Sequence, residues 1–212
     1  MKTDNLIAAL AADLETRPTP VWRALVNALL ISTPIGFLLL VFAIQLRPDI
    51  VDALGSVRFL FKLVFAGCLM VSATWLAGRL SRPGVSARSA LLATGATFAL
   101  LAVAVALEMM VVPQTEWMPN LVGTMAVPCV VLIPLTAAAP LAVILFALRS
   151  GAPENTSAAG AAAGLLAGAI GAMSYAPHCT NDSPLFVAVW YLLGIAVVTL
   201  VGSLLGSRIL RW

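Results

Sequence analysis

Charge is what this chain has least of. Lys, Arg, Asp and Glu make up 10% of its 212 residues, whereas a soluble domain carries about 25%. With 61% hydrophobic residues and a mean hydropathy of +1.03, the chain cannot solvate its own surface. That excludes a soluble globular protein and implies one that lives in a bilayer. Histidine occurs once, at His178, which falls short of a typical four-ligand zinc site. Cysteine occurs three times, at Cys68, Cys129 and Cys179, never as C-x-x-C. A membrane disulfide oxidoreductase would want a vicinal pair and a second shuttle pair. No kinase, hydrolase or nucleotide motif is present, so no enzyme is expected. The net charge of +3 is too small for a nucleic-acid footprint, so no direct nucleic-acid contact is expected. The opening MKTDNLIAALAADLETRP carries acids and lacks a basic n-region, so the first membrane helix is expected to act as its own targeting signal.

What is there is apolar length. Six runs, near 24–46, 57–78, 90–112, 125–148, 158–176 and 185–207, are each about 19 to 24 residues, enough to cross a hydrocarbon layer of about 30 Å. The expectation is an all-α membrane protein: a single six-helix bundle over 24–212, preceded by a segment 1–23. Nine of the twelve basic residues (Lys2, Arg17, Arg23, Arg79, Arg82, Arg88, Arg149, Arg208, Arg211) fall on one side, and Arg47, Arg58 and Lys62 on the other. The positive-inside rule then puts both termini in the cytoplasm and the loops near 47–56, 113–124 and 177–184 outside. Trp117, Tyr175, Trp190 and Tyr191 are expected as an outer aromatic belt, and Trp22 and Trp212 as an inner one.

Segment 1–23 reads as a short amphipathic helix. Thr3 is a capping residue, and Leu6, Ile7, Leu10 and Leu14 fall within about 100° of one another. Asp4 and Glu15 lie opposite, Asp13 flanks the stripe, and Pro18 and Pro20 stop the helix. Helices that lie on a membrane surface usually carry Lys and Arg on the polar face. This one carries acids, which favours a protein groove over an anionic lipid surface.

Within the spans, Gly160, Gly164, Gly168 and Gly171, with Gly202 and Gly206 in the last run, form small-residue faces for close helix packing. Pro128, Pro134 and Pro140 mark the fourth run as a candidate hinge. Glu108 is the deepest acid, and intramembrane acids are functional candidates. Arg58 and Lys62 are placed to snorkel at the outer interface. These three together carry a rival reading, a small-solute transporter. A further rival is a structural subunit that uses the Gly-rich fifth helix as its contact face.

Cys129 lies about 6 Å into the outer start of the fourth helix. Cys179 lies in the outer loop beside His178, with Asp182 three residues on. Three readings stand side by side: a redox-sensing pair; a metal site with His178 and Asp182 or Glu116; or a static bridge or unrelated thiols. Cys68, mid-span, is expected to be a small buried apolar residue.

Three stretches resemble the NrsF family (negative regulator of sigma F): MKTDNLIAALAADL at the start, PCVVLIPLTAAAPLAVILFALRSGAP in the fourth helix, and YAPHCTNDSPLFVAVWYLLGIA across the last loop. The run HCTNDSPLFVAVWY is the most specific. Thr180 follows Cys179 where a proline would be expected. The resemblance implies a six-helix bacterial inner-membrane anti-sigma factor for an extracytoplasmic-function sigma factor. It implies that Asp4, Leu6, Ile7, Leu10, Asp13 and Leu14 contact the sigma factor. It also implies that Cys129 and Cys179 sense oxidative or heavy-metal stress. No resident cofactor is implied; a heavy-metal ion would be a signal.

Overall fold

A computed structural model describes residues 3, 21–43 and 45–211. The expected N-terminal helix, including Asp4, Leu6, Ile7, Leu10, Asp13 and Leu14, lies outside the described residues apart from Thr3, as does Trp212. Six helices are long and apolar enough to cross a membrane: α1 (Val21–Ala43), α2 (Val57–Leu80), α3 (Arg88–Val111), α4 (Ala126–Leu148), α5 (Thr156–Tyr175) and α6 (Pro184–Ile209). No strand occurs among the described residues. The spans expected from hydropathy agree with these to within three residues at every end.

Ends are set by local chemistry. Asn155 caps α5 by accepting a hydrogen bond from Ala158 N at 2.9 Å. Ser183 caps α6 with Pro184 at its first position, where a missing N–H costs nothing. Pro134 and Pro140 lie inside α4, which nonetheless runs unbroken from Ala126 to Leu148.

α5 is the central helix. It packs on α6, α4, α2 and α1, and nearly all of its second half is buried. Its Ala and Gly content explains this, since small side chains let four neighbours approach one helix. α3 has the fewest internal contacts of the long helices and presents Leu92, Val103 and Met110 outward, as a lipid-facing helix does. Cys68 is exposed on α2 rather than buried. Its helical position points it away from the α5 contact, which corrects the expectation above.

Connections segregate to two ends. At one, Ala152 N donates to Ser81 O at 3.0 Å and Gly84 N to Glu154 Oε1 at 2.7 Å, joining the α2–α3 and α4–α5 connections beside Val21 and Leu210. At the other end, the α1–α2, α3–α4 and α5–α6 connections meet, the first two carrying one-turn helices Ile50–Ala53 and Trp117–Val122.

Candidate functional site

The α5–α6 connection crosses the second end as a lid, and each side of it is tied to a different element. Arg47 N donates to Pro177 O at 3.1 Å, and Arg47 Nη1 donates to Asp182 Oδ2 at 2.8 Å. Lys62 of α2 reaches up from below: its Nζ donates to Asp182 Oδ1 at 2.5 Å, to Cys179 O at 2.9 Å and to Asn181 O at 3.4 Å. Asn181 Oδ1 accepts from Thr124 N and Met125 N at 3.2 and 3.0 Å, closing the entry to α4. His178 Nδ1 sits 2.9 Å from Gln45 O. Gly123 adopts φ +56°, and a Cβ there would meet Asn181 and Phe186 at 2.7 Å, so only glycine fits beneath the lid.

A second tie lies at the start of α6. Glu108 Oε2 accepts from Ser183 Oγ at 2.7 Å and from Leu185 N at 3.1 Å. The carboxylate thus faces the positive end of the α6 dipole. Arg58 Nη2 stands 3.2 Å from Glu108 Oε1, an ion pair without hydrogen-bond alignment, which leaves Oε1 with no hydrogen bond.

Under the lid, Cys129 Sγ and Cys179 Sγ lie 3.9 Å apart. Both are fully buried and free. Tyr175 and Tyr191 pack beside them, with ring centroids 5.9 Å apart. The Cys179 thiol is held below its ordinary range, at about 6, first by the hydrogen bond from Cys129 and then by the Lys62 ammonium, with burial opposing. On the rim, the hydrogen bond from Arg47 lowers the Asp49 carboxyl to about 2, and the same bond raises Arg47 further above its already high value. Because the folded carboxyl titrates below its unfolded value, this pair of buried Arg47 and exposed Asp49 contributes above pH 4 and fades as pH falls toward 2.

Several expectations are corrected here. Lys62 does not snorkel; it is fully buried and holds the lid. Tyr175 and Tyr191 do not form an interfacial belt, since both are buried against the thiols. The sulfurs are brought together, but His178 and Asp182 are not brought to them. His178 turns to Gln45 and Asp182 is taken by two cations, while Glu116 is exposed in the turn Gln114–Glu116. Among the described residues, no group of three or more His, Cys, Asp or Glu side chains is placed to share an ion. Glu108 and Lys62 bind the lid, and Arg58 pairs with Glu108 of α3. Arg47 enters the sequence reading only as a charge in the orientation count; its role as a clamp on the lid was not anticipated. Its signal was weak: a lone arginine in the first connection, two residues before the acid-containing stretch Asp49–Asp52.

These features define a polytopic membrane protein built around a thiol-bearing lid, clamped by buried charge. The chain belongs to the NrsF family, negative regulator of sigma F, whose model matches residues 10–212. It is 36% identical over 217 residues to "Anti-sigma-F factor NrsF" of Caulobacter vibrioides (strain NA1000 / CB15N), covering the whole of both chains. It is 34% identical over 214 residues to "Probable anti-sigma-F factor NrsF" of Azospira oryzae, again over the full length of each. No solved structure matches the chain.

Proposed function

We propose that the chain is an anti-sigma factor of a bacterial inner membrane, with both termini cytoplasmic. Segment 1–23 holds an extracytoplasmic-function sigma factor away from RNA polymerase. Leu6, Ile7, Leu10 and Leu14 anchor in an apolar groove, and Asp4 and Asp13 pair with basic rim residues. Chemical change at Cys129 and Cys179 on the outer face releases it. The observation that carries the signalling part is the 3.9 Å approach of the two buried sulfurs beneath the lid; full-length likeness to relatives named anti-sigma-F factors carries the rest.

The chemistry suits two stimuli. An oxidant that accepts two electrons, with loss of two thiol protons, joins the sulfurs as a disulfide. A thiophilic metal ion bridges the two thiolates after the same protons leave, since soft ions select sulfur ligands. Either event draws Cys179 toward α4. Its carbonyl is the acceptor for Lys62 and Arg47, so the movement bears on α2 and on the connection that ends α1. α4 also packs along α1, which leads back to segment 1–23. A sensing site, a binding site and a packed element between them are what coupling requires.

The test is purification of the full-length protein from native membranes in mild detergent, with mass spectrometry of what accompanies it. A stoichiometric sigma factor is expected, and it should be lost on deleting residues 1–14. Leu10→Asp, which places a charge in the apolar anchor, should also lose it while the protein still inserts. Unstressed membranes yielding no sigma factor would overturn the assignment. For the signal, Cys129→Ser and Cys179→Ser should each keep the sigma factor bound under oxidant or thiophilic metal. Release at the wild-type dose would remove the cysteines from the mechanism.

A further inference from the structure

The two phenols under the lid have no role in the reading above. Tyr175 and Tyr191 are the two largest fully buried side chains among the described residues. Neither hydroxyl has a hydrogen-bond partner, although both tyrosines pack in the same buried cluster as Cys129 and Cys179. An unpartnered buried hydroxyl is destabilising, and two at one point call for an explanation that includes redox chemistry. Tyr191 is delivered by the wide π turn Val187–Tyr191, a departure from α geometry common at functional sites. The Lys62 ammonium completes the surroundings, bonded to the Cys179 carbonyl and 5.8 Å from the Tyr191 ring centre. The nearest carboxylate, Asp182, is already held by Lys62 and Arg47. Two free donors and a cation with a neutralised acid make surroundings suited to a small oxyanion on sulfur.

The two sulfurs are not equivalent. Cys129 is fixed in the first turn of α4. Cys179 lies in the lid itself, with its carbonyl bonded to Lys62. We propose that Cys179 is the sulfur a hydroperoxide oxygenates, and that the hydroxyls of Tyr175 and Tyr191 hold its oxygenated form until Cys129 displaces the oxygen. This rests on the redox reading of the pair. In the first step the Cys179 sulfur attacks the terminal peroxide oxygen: the S–O bond forms, the O–O bond breaks, and the alkoxide or hydroxide takes the thiol proton. In the second step the Cys129 sulfur attacks Cys179: the S–S bond forms, the S–O bond breaks, and hydroxide leaves with the Cys129 proton as water. Two thiols and one hydroperoxide thus give one disulfide, one alcohol or water, and one water. Tyr175 and Tyr191 are positioning residues in this scheme, gaining a partner only when oxygen arrives on sulfur.

The experiment uses full-length protein in nanodiscs, hydrogen peroxide as oxidant, and a 1,3-dicarbonyl nucleophile that traps sulfenic acid, read by mass spectrometry. In Cys129→Ser, Cys179 should be labelled; in Cys179→Ser, labelling of Cys129 should be at least about tenfold slower, the difference one or two hydrogen bonds to an anion make. Tyr191→Phe and Tyr175→Phe, each in the Cys129→Ser background, should slow labelling of Cys179 about tenfold. Their melting temperature should be unchanged or raised, because an unsatisfied hydroxyl is removed. A purely structural role predicts the reverse: lowered melting and an unaltered labelling rate. Equal labelling of the two cysteines, or Phe variants that label at the parent rate, would overturn the proposal. Cys179-first labelling in a protein that keeps its sigma factor under peroxide would instead refute the release mechanism and leave this chemistry standing.

Discussion

Asp182→Ala should lower the melting temperature of the solubilised protein more than any other single change in the lid. Among the described residues, the aspartate is the one acidic group shared by two buried cations, Lys62 with a side chain 0% exposed and Arg47 with one 6% exposed. Arg47 retains Asp49 when Asp182 is removed. Lys62 retains only the carbonyls of Cys179 and Asn181, which are dipoles and do not cancel its charge. Removing one partner of a buried ion pair costs about 3–5 kcal/mol, because the remaining charge stays desolvated. At about 2–4 °C per kcal/mol for a chain of this size, the expected drop is roughly 10 °C. Asp182→Asn keeps an acceptor and should fall between. Lys62→Met combined with Asp182→Leu removes both charges and should recover most of the loss, since an apolar pair of similar volume replaces a buried ion pair at little cost. Thermal unfolding of the four proteins in one detergent checks the set. An alanine variant that melts with the parent would show that the lid is held by its other ties, from Ser183 to Glu108, from Asn181 to Thr124 and Met125, and from His178 to Gln45.

The same charges show where sequence reading worked and where it stopped. The spans were legible because hydropathy and length are one-dimensional properties: about 20 apolar residues must cross the bilayer whatever their neighbours are. The placement of Cys129 and Cys179 near one end followed from the same count. Their 3.9 Å approach did not, since it depends on α4 lying against α5 and on the lid folding inward. Direction around a helix was the missing quantity. Lys62 was assigned to the interface by its depth, yet Phe59, Lys62, Ala66 and Leu69 recur at spacings of three and four and are all buried. That pattern placed Lys62 on the inner face of α2. Tyr175 likewise continues the buried stripe of Gly168, Gly171 and Ala172 on α5. An interfacial depth fits both an aromatic belt and a polar cluster beneath a loop; only the helical face separates them. In a membrane bundle the face is hard to read because lipid-facing and core-facing positions are both apolar.

The second large effect should come from a single methyl group. Gly160→Ala is expected to separate α5 from α6 and to destabilise the bundle by more than the roughly 1–3 kcal/mol typical of overpacking. A Cβ at Gly160 would sit 2.3 Å from Gly202 O and 2.7 Å from Gly206 Cα. These are backbone atoms of the facing helix, so no side-chain rotation relieves the clash. The contact is reciprocal along the interface: Cβ atoms at Gly202 and Gly206 would meet Gly160 backbone at 2.5 Å, and one at Gly164 would meet Val198 O at 2.5 Å. Close approach of this kind is what holds two helices together in lipid, where burying apolar surface against another helix gains little over burying it against acyl chains. Gly95→Ala in α3 is the matched control, because a Cβ there meets nothing within 4 Å. It should be neutral or stabilising by up to about 1 kcal/mol, the helix-propensity gain of alanine over glycine. Melting both variants in the same detergent gives the comparison, with Gly160→Ala well below the parent and Gly95→Ala at or above it. If the two melt together, the α5–α6 face is not the packing core of the bundle. If they separate as expected, the helices that flank the lid are held in register by backbone contact. Movement of Cys179 must then be taken up by the lid and its charged ties rather than by α5 sliding against α6.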